Sequence, residues 1–517
     1  MTRTHRTVAL LALWAPIMAA CPPPYEGTTT TDAATETGST GSEATTSTSN
    51  PTTGSESTGE PTTGPGTSTS GPGTSSTTDN TTGEMGCADD AACQAQDPNT
   101  PFCVDKACVD CKGAADPDAA CAGLDMNAPV CDADTGKCVV CTAENKQLCI
   151  GDKPVCDVAV NQCVGCSENA DCPDSACNQE SGACFGVEYV IWVDAAAQCD
   201  IGDGSMAMPF CQIAQALDKV AMNDPAAGWT IKIKAGNYIQ PTLAVPEGAL
   251  LAMVGEGGVA KLKGTTAATL QIGVNTKLHL GKINLSSNAD DTGLVCSNNG
   301  MIFGEDLVFA SNRQGYVGTD CSAEFKRAVF YKNTSGALTA IGAGTTHVIN
   351  SYISNNGSNA ESTYGGLLTG QGQELHVVYS TVLNNLSETG ARSVQCTPDA
   401  GPTEIRNSVV IAFVAPSIDC PGATIEHSAI DDGKMDGDTN IQAVMADAMN
   451  WFDPQVAGVY KAKADTPLKD LALWTDGDPK AMPDSCFALE PALVSQPDGN
   501  PDPSRRDGVI GQSTLCL

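Results

Sequence analysis

The chain has few aromatic residues, 5% Phe, Trp and Tyr together, and little positive charge, with 27 Lys and Arg against 61 Asp and Glu in 517 residues. So few large side chains, beside 52 Gly and 30 Pro, argue against one large close-packed enzyme core. A formal net charge of -34 repels phosphate backbones and offers no counterion-release drive, which excludes nucleic acid as a partner. Between Arg6 and Lys106 there is no Lys or Arg at all, and beyond residue 20 no stretch is long and apolar enough to span a bilayer. Cysteine, by contrast, is abundant. Twenty-five thiols would need metal or constant reduction in a cytosol, whereas in an exported chain they become covalent staples.

Residues 1–20 read as an export signal. Arg3 and Arg6 precede a 13-residue, mostly apolar run ending at Ala20, too short for a comfortable membrane span. The run closes on Met18-Ala19-Ala20-Cys21, which resembles a bacterial lipobox, where small residues precede a cysteine that is acylated and becomes the mature N-terminus. That resemblance implies lipidation at Cys21 and a place in the cell envelope, outside the cytoplasm; Pro22 in place of Asp leaves the outer membrane and its surface open as the destination. Cleavage without lipidation would explain Ala19 and Ala20 but not the cysteine after them. Residues 21–86 are nearly all Thr, Ser, Gly, Pro, Glu and Ala, a composition that cannot bury a core. This stretch is expected to act as a tether or glycosylated stalk, reaching on the order of 180 Å if extended at about 3.1 Å per residue.

Sixteen cysteines between 87 and 184 fall into four groups of four, starting at Cys87, Cys111, Cys141 and Cys166. Pro101-Phe102-Cys103, Pro129-Val130-Cys131 and Pro154-Val155-Cys156 each lead into a short turn and a Cys-Val-x-Cys, so the groups are an internal repeat. Each unit is too poor in apolar residues to fold alone, and two disulfides per unit are expected to stabilise it by about 3 kcal/mol each. The Cys-x-x-Cys pairs at 108/111, 138/141 and 163/166 mark repeat junctions rather than zinc or redox sites. Asp132, Asp134 and Gly136 form half of a calcium loop without its later ligands and read as an acidic turn. The module resembles small Cys-rich repeats that precede large domains in bacterial surface lipoproteins.

After Phe185 a second periodicity appears. Ile283–Asn288, Leu307–Asn312, Ala328–Asn333, Ser351–Asn356 and Ser380–Asn385 are short apolar strands ending in Asn, and the terminal Asn recurs at steps of 24, 21, 23 and 29. A strand and a polar turn at that spacing, with no helical pattern between, fit the coils of a parallel β-helix. Asn suits a left-handed corner, and its amide can bond to the Asn one coil above and below. A β-sandwich or propeller also has short strands and turns, at the closer spacing of about 8–12 residues.

The opening of this region, with the amphipathic run Gln212–Met222, the strand Ile231–Ala235 leading to Gly236-Asn237-Tyr238, and Leu251–Gly257, resembles pectin-lyase-like right-handed parallel β-helix proteins. The resemblance implies an all-β solenoid over residues 188–435 with a helix capping its N-terminal end, followed by an irregular cap over 436–517. Eight cysteines remain, and sequential pairing of Cys199 with Cys211, Cys296 with Cys321, Cys396 with Cys420 and Cys486 with Cys516 leaves none over. The separations of 25 and 24 match one coil, so the middle two pairs should staple adjacent coils.

The resemblance brings polysaccharide lyases and hydrolases into consideration. A lyase needs a base beside carboxylates that hold calcium. Arg313, Lys326, Arg327 and Lys332 with Glu305 and Asp306 are a local mixture of both signs, read as solvated charges on outward strand positions. The hydrolases of this fold carry a Gly-His-Gly element that is missing here, although Asp pairs occur at 290/291 and 431/432. His279, His347, His376 and His427 sit in or beside apolar strands and read as structural. The loop with Asp431, Asp432, Asp436 and Asp438 offers oxygen ligands for calcium, but its glycines and the general acidity favour a solvated turn; no metal or other cofactor is expected. The expected function is therefore a lipid-anchored surface protein that displays a β-helix as a non-catalytic module, toward extracellular carbohydrate by fold analogy. The alternatives are a polysaccharide lyase or glycoside hydrolase, and an adhesin for another surface protein.

Overall fold

The computed structural model describes residues 86–453 except 266, 287, 289, 358–363, 387–391, 413–415 and 432–438, and beyond 453 only 461–462, 467, 492–495 and 501–507. The export signal, the linker and Cys21 lie outside the described residues, as do Cys486 and Cys516.

The four cysteine-rich units share one plan. In each, the first cysteine bonds the third and the second bonds the fourth: Cys87–Cys103 with Cys93–Cys108, Cys111–Cys131 with Cys121–Cys138, Cys141–Cys156 with Cys149–Cys163, and Cys166–Cys177 with Cys172–Cys184. The third and fourth cysteines face each other across a two-stranded antiparallel hairpin, as Cys103 faces Cys108, yet each bonds to the segment before the hairpin. Two neighbouring bonds thus clamp every hairpin where an apolar core would otherwise be needed. Cys108 and Cys111 belong to successive units, so the Cys-x-x-Cys spacing spans a junction. In the turn at Asp132 the carboxylate accepts from Thr135 Oγ1 at 2.6 Å and from the Asp134 N–H at 3.0 Å, with Gly136 at a φ of 72° closing it.

From Val190 onward the chain coils. Lys277–Gly281, Ile283–Ser286 and Thr292–Ser297 make one turn, Met301–Glu305, Val308–Ala310 and Gln314–Thr319 the next, and each strand pairs in parallel with its counterpart one turn on. Three parallel sheets result, the third with eight strands between Leu243–Ala244 and Ile418–Asp419. Parallel pairing ends with Ile441–Gln442 on Ala429–Ile430, and the helix Met445–Trp451 follows. This is the all-β parallel solenoid that the Asn spacing implies. The amphipathic run forms the helix Ile213–Met222, whose Ile213, Ala216, Leu217 and Val220 are buried in the core of the first coils. Cys199–Cys211 closes the loop ahead of that helix, and Cys296–Cys321 and Cys396–Cys420 link successive coils with Cα separations of 6.2 and 4.7 Å.

Inside, alternate residues of every strand stack along the axis. Three aromatics stack together here: Phe309 and Phe330, one coil apart, lie at 4.5 Å, and Phe325 meets both edge-on at 5.7 and 5.6 Å. At the corner before the third sheet, Asn288, Asn312, Asn333, Asn356 and Asn385 form a buried ladder. Asn333 shows the pattern: its Nδ2 donates to Asn356 Oδ1 at 2.8 Å and to the Phe309 carbonyl at 2.9 Å, while its Oδ1 accepts from the N–H and Nδ2 of Asn312, both at 3.1 Å. The ladder differs from expectation in one respect. At Asn312, Asn333, Asn356 and Asn385 the left-handed residue at the corner is the one before the Asn, namely Ser311, Lys332, Asn355 and Asn384 at φ of 53–58°. The preceding residue takes the bend, which leaves the ladder amide pointing inward to satisfy backbone groups of both neighbouring coils. A second ladder at the first corner was not foreseen: the N–H groups of Ala328, Ser351, Ser380 and Ser408 each donate to the hydroxyl of the serine one coil on, ending at Ser428, at 3.0–3.1 Å.

Candidate functional site

Strand alternation sends the odd members of the first sheet outward, and parallel register stacks them in columns. One column reads His279, Phe303, Glu324, His347, His376, Glu404 and Thr424; its neighbour reads Gly281, Glu305, Lys326, Ile349, Val378, Arg406 and Glu426.

The first part of this face is covered by the fourth cysteine-rich unit. Phe185 and Ala176 pack on Ala252 and Val254, and His279 lies edge-on to Phe185 at 5.3 Å and stacked on Phe303 at 4.7 Å. Neither ring nitrogen of His279 has a hydrogen-bond partner, and burial pushes its pKa down to about 3, so the ring is neutral packing material. Asn169 seats over Gly281, where a Cβ would lie 2.6 Å from its Nδ2. From there its N–H and Nδ2 both donate to Glu305 Oε1 at 2.9 Å, while Gln179 Nε2 donates to Oε2 at 3.0 Å. Glu305 is only 3% exposed, and burial pushes its carboxyl up to about 7 against the opposing pull of Arg327. Arg327 is held by Asp306 at 2.6 and 3.0 Å and by Glu168 at 3.4 Å; burial works against its charge, but these carboxylates outweigh it and raise its pKa.

This corrects the reading of Glu305, Asp306 and Arg327 as solvated outward charges. They are outward from the solenoid, but a second module sits on them, and their bonds cross that contact. Lys332 lies instead over the Tyr331 ring at 4.9 Å at the second corner, and the Arg313 N–H donates to the Asn288 and Asp291 carbonyls, so neither belongs to the first-sheet face. Asp431 accepts the N–H groups of Ala412 and Ser417, each at 2.8 Å, on its two oxygens, which gives it a structural task; Asp432, Asp436 and Asp438 lie outside the described residues.

Past Lys326 most of the described residues of the face are part-exposed. His347 and His376 stack with ring centroids 4.6 Å apart and planes within 15°. His376 Nδ1 lies 2.9 Å from Glu404 Oε2, and Arg406 Nε donates to Glu404 Oε1 at 3.2 Å. Burial opposes the Glu404 charge, but the bonds from His376 and Arg406 prevail and hold its carboxyl below the ordinary range. His376 Nε2 faces Glu374 Oε2 at 3.9 Å, and Lys326 pairs with Glu324 at 2.5 Å. Burial and the adjoining His376 push the His347 pKa down. The two histidines read as unrelated structural residues thus form one cluster. Their separation of 29 equals the Asn356 to Asn385 step, so the ladder spacing already held the signal for it.

Fold and face together define a parallel β-solenoid with a disulfide-stapled module docked on its first sheet. A family described as of unknown function (DUF8331) matches residues 73–190, from the end of the low-complexity stretch through the four repeats to the start of the solenoid. No curated protein matches by sequence. Among solved structures, the chain is similar to the pectate lyase Pel9A, at 12% identity over 57% of this chain and 94% of that one with a TM-score of 0.34. It is also similar to a rhamnogalacturonan lyase, at 10% over 54% and 98% with a TM-score of 0.30, and to the tailspike protein of Acinetobacter phage vB_ApiP_P1, at 12% over 46% and 53% with a TM-score of 0.32. At these identities the likeness is one of fold, and the parallel ladders themselves define the solenoid.

Proposed function

We propose that this chain is a surface-displayed module that holds an extended extracellular polysaccharide along the open strip of its first sheet without cleaving it. The observation that carries this reading is the strip from Glu324 to Glu426, which begins where the fourth cysteine-rich unit ends and runs along the solenoid axis. Strands about 4.8 Å apart present polar groups as a linear track, which suits a polymer better than a compact molecule. The charges on it support binding over elimination. Lys326 and Arg406 are each committed to a carboxylate, and Glu374 and Glu426 leave the strip acidic. Elimination at a uronate needs an uncommitted cation to neutralise the sugar carboxylate, and an acidic strip repels that polymer from a distance. The ligand class is therefore a neutral or amine-bearing glycan. The Met18–Cys21 motif and the low-complexity stretch after it support a lipid anchor on a long tether, in a bacterial outer membrane.

A lyase or hydrolase is the second reading, favoured by the His376–Glu404 pair, which has the geometry of an oriented base. Both readings meet one experiment, in which the purified full chain is incubated with neutral, amine-bearing and polyuronate polymers. Retention is read by co-sedimentation, and cleavage by ultraviolet absorbance of unsaturated ends and by reducing-end release. Retention of a neutral or amine-bearing polymer, weakened in Glu404→Gln, without new ends is the expected result; product formation would overturn the non-catalytic reading. Loss of fatty-acid labelling in Cys21→Ala tests the anchor.

A further inference from the structure

The first coil carries a hollow that lies outside the strip. The loop 194–211 follows the strand Val190–Val193 and is closed by the Cys199–Cys211 bond. Its ends are clamped, because the Asp194 N–H donates to the Phe210 carbonyl at 2.8 Å and the Phe210 N–H to the Trp192 carbonyl at 3.0 Å. Within it, Asp203 Oδ1 accepts the Ser205 N–H at 2.8 Å, and the Asp203 and Gly204 N–H groups both donate to the Met208 carbonyl at 3.0 Å. Lys219 of the capping helix donates to the Asp203 carbonyl at 2.8 Å. The loop is therefore a preformed wall, and with Lys234 it lines a cavity of about 320 Å³.

The lining has two characters. Ile201, Met206 and Met208 supply its apolar part and are 63%, 69% and 46% exposed, a grouping of large apolar side chains around one hollow that a ligand would cover. Asp194 and Lys234 supply the polar part. Lys234 Nζ donates to Asp194 Oδ2 at 2.9 Å, and the Ala196 N–H donates to Oδ1 at 2.8 Å. The bond from Ala196, with that from Lys234, holds the Asp194 carboxyl below the ordinary range, so it stays an acceptor. The buried Tyr238 hydroxyl fixes the backbone at both residues, donating to the Lys234 carbonyl at 2.8 Å and accepting the Ala195 N–H at 3.2 Å. That is the tyrosine of the Gly236-Asn237-Tyr238 motif.

An ammonium has three N–H donors and a carboxylate oxygen has more than one lone pair, so the bond between Lys234 and Asp194 leaves capacity on each. A donor and an acceptor thus stand side by side. Adjacent hydroxyls of a sugar ring offer the matching pattern, one donating to the carboxylate while its neighbour accepts from the ammonium. The pair is net neutral and so favours hydroxyls over a charged ligand. Thioether side chains adapt their shape and suit the C–H face of such a ring. The cavity is at the small end of the range of about 300–1,000 Å³ for ligand pockets, which admits one ring rather than a chain.

We infer that this hollow binds a single neutral sugar residue through two adjacent hydroxyls, held by Asp194 and Lys234, with its C–H face on Met206 and Met208. The site is separate from the strip that starts at Glu324, since Lys234 lies on the first coil and pairs in register with Glu256 of the second. It requires no polymer on the strip and would receive a chain end or a branch.

The test uses the full, oxidised chain with methyl-labelled methionine, followed by NMR during titration with the methyl glycosides of glucose, galactose and mannose. Met206→Leu and Met208→Leu identify the two reporter signals. Saturable shifts of both with at least one glycoside are expected, while cyclohexanol, a ring without the diol, should leave them in place. Affinity should fall about tenfold or more in Lys234→Met and in Asp194→Asn. Ala207→Leu, which adds bulk to the lining and leaves the ion pair in place, should weaken binding without moving the remaining methionine signals. No shift with any glycoside, equal shifts with cyclohexanol, or binding that survives both Lys234→Met and Ala207→Leu overturns the inference. Because a monosaccharide is read at two methionines here, and polymer retention is read through Glu404, either result stands without the other.

Discussion

Asn169 and Glu305 stand 136 residues apart, yet both hydrogen-bond donors of Asn169 converge on one Glu305 oxygen at 2.9 Å. A cysteine-rich unit and a solenoid strand are thereby joined through a carboxylate that neither could bury alone. The fourth unit is therefore a fixed cover on the first sheet, and it sets where the open strip begins.

The docked state should weaken as pH rises. Glu305 goes from an ordinary value of 4.5 to about 7 on folding, because burial penalises its charge. Its contribution is complete below the lower value and is lost as pH climbs through the upper one, amounting to at most about 3 kcal/mol. Glu305→Gln should flatten that slope, since Gln179 Oε1, which has no partner, can accept from the new amide after a flip. Calorimetric unfolding between pH 4.5 and 8.5 checks it; an unchanged slope in the variant counts against Glu305 as the source.

Gly281→Ala should undock the unit. The added carbon would press on Asn169 Nδ2 at 2.6 Å and displace it, leaving a buried carboxylate short of donors at a cost of about 2 kcal/mol. Hydrogen exchange is expected to quicken within Cys166–Cys184 while the third sheet keeps its protection.

Removing Arg327 should cost more. Arg327→Ala leaves Glu305, Asp306 and Glu168 facing one another without their shared cation, an effect of about 3–5 kcal/mol. Arg327→Lys should restore little, because Asp306 is gripped by two nitrogens of one planar group. Denaturant titration of both variants separates the two outcomes.

The ladder should be weakest to insult at its centre. Asn333→Ala loses bonds to the coils on both sides and should cost about 2–4 kcal/mol. Asn385→Ala, at the last described rung, should cost less. Equal losses at both positions would show that the rungs act separately.

Peptide mapping under non-reducing conditions should recover first-to-third and second-to-fourth links in all four units. Replacing both Cys296 and Cys321 by Ala should lower stability by about 3 kcal/mol, the chain-entropy value for the 25-residue loop they close.

How much of this was legible in sequence follows from what each feature depends on. The Asn ladder was legible because its residues recur at one coil's spacing and bond to copies of themselves. The serine ladder was not, since Ser351, Ser380 and Ser408 sit among many other serines and carry no distinctive neighbour. The His347–His376 stack was half-legible: the 29-residue step was visible, but two histidines make no pattern until the register is known. Arg327 and Glu305 were misread because composition shows charge but not cover.

The sequence by itself determined the grouping of sixteen cysteines into four repeated units and the parallel coils, since each arises from periodicity and from contacts between equivalent positions. Only the tertiary structure decided which outward residues of the first sheet are buried and which meet solvent. That outcome depends on the docking of the fourth cysteine-rich unit, a meeting of unlike residues such as Asn169 with Glu305 and Phe185 with His279, for which no repeat in the chain encodes a register.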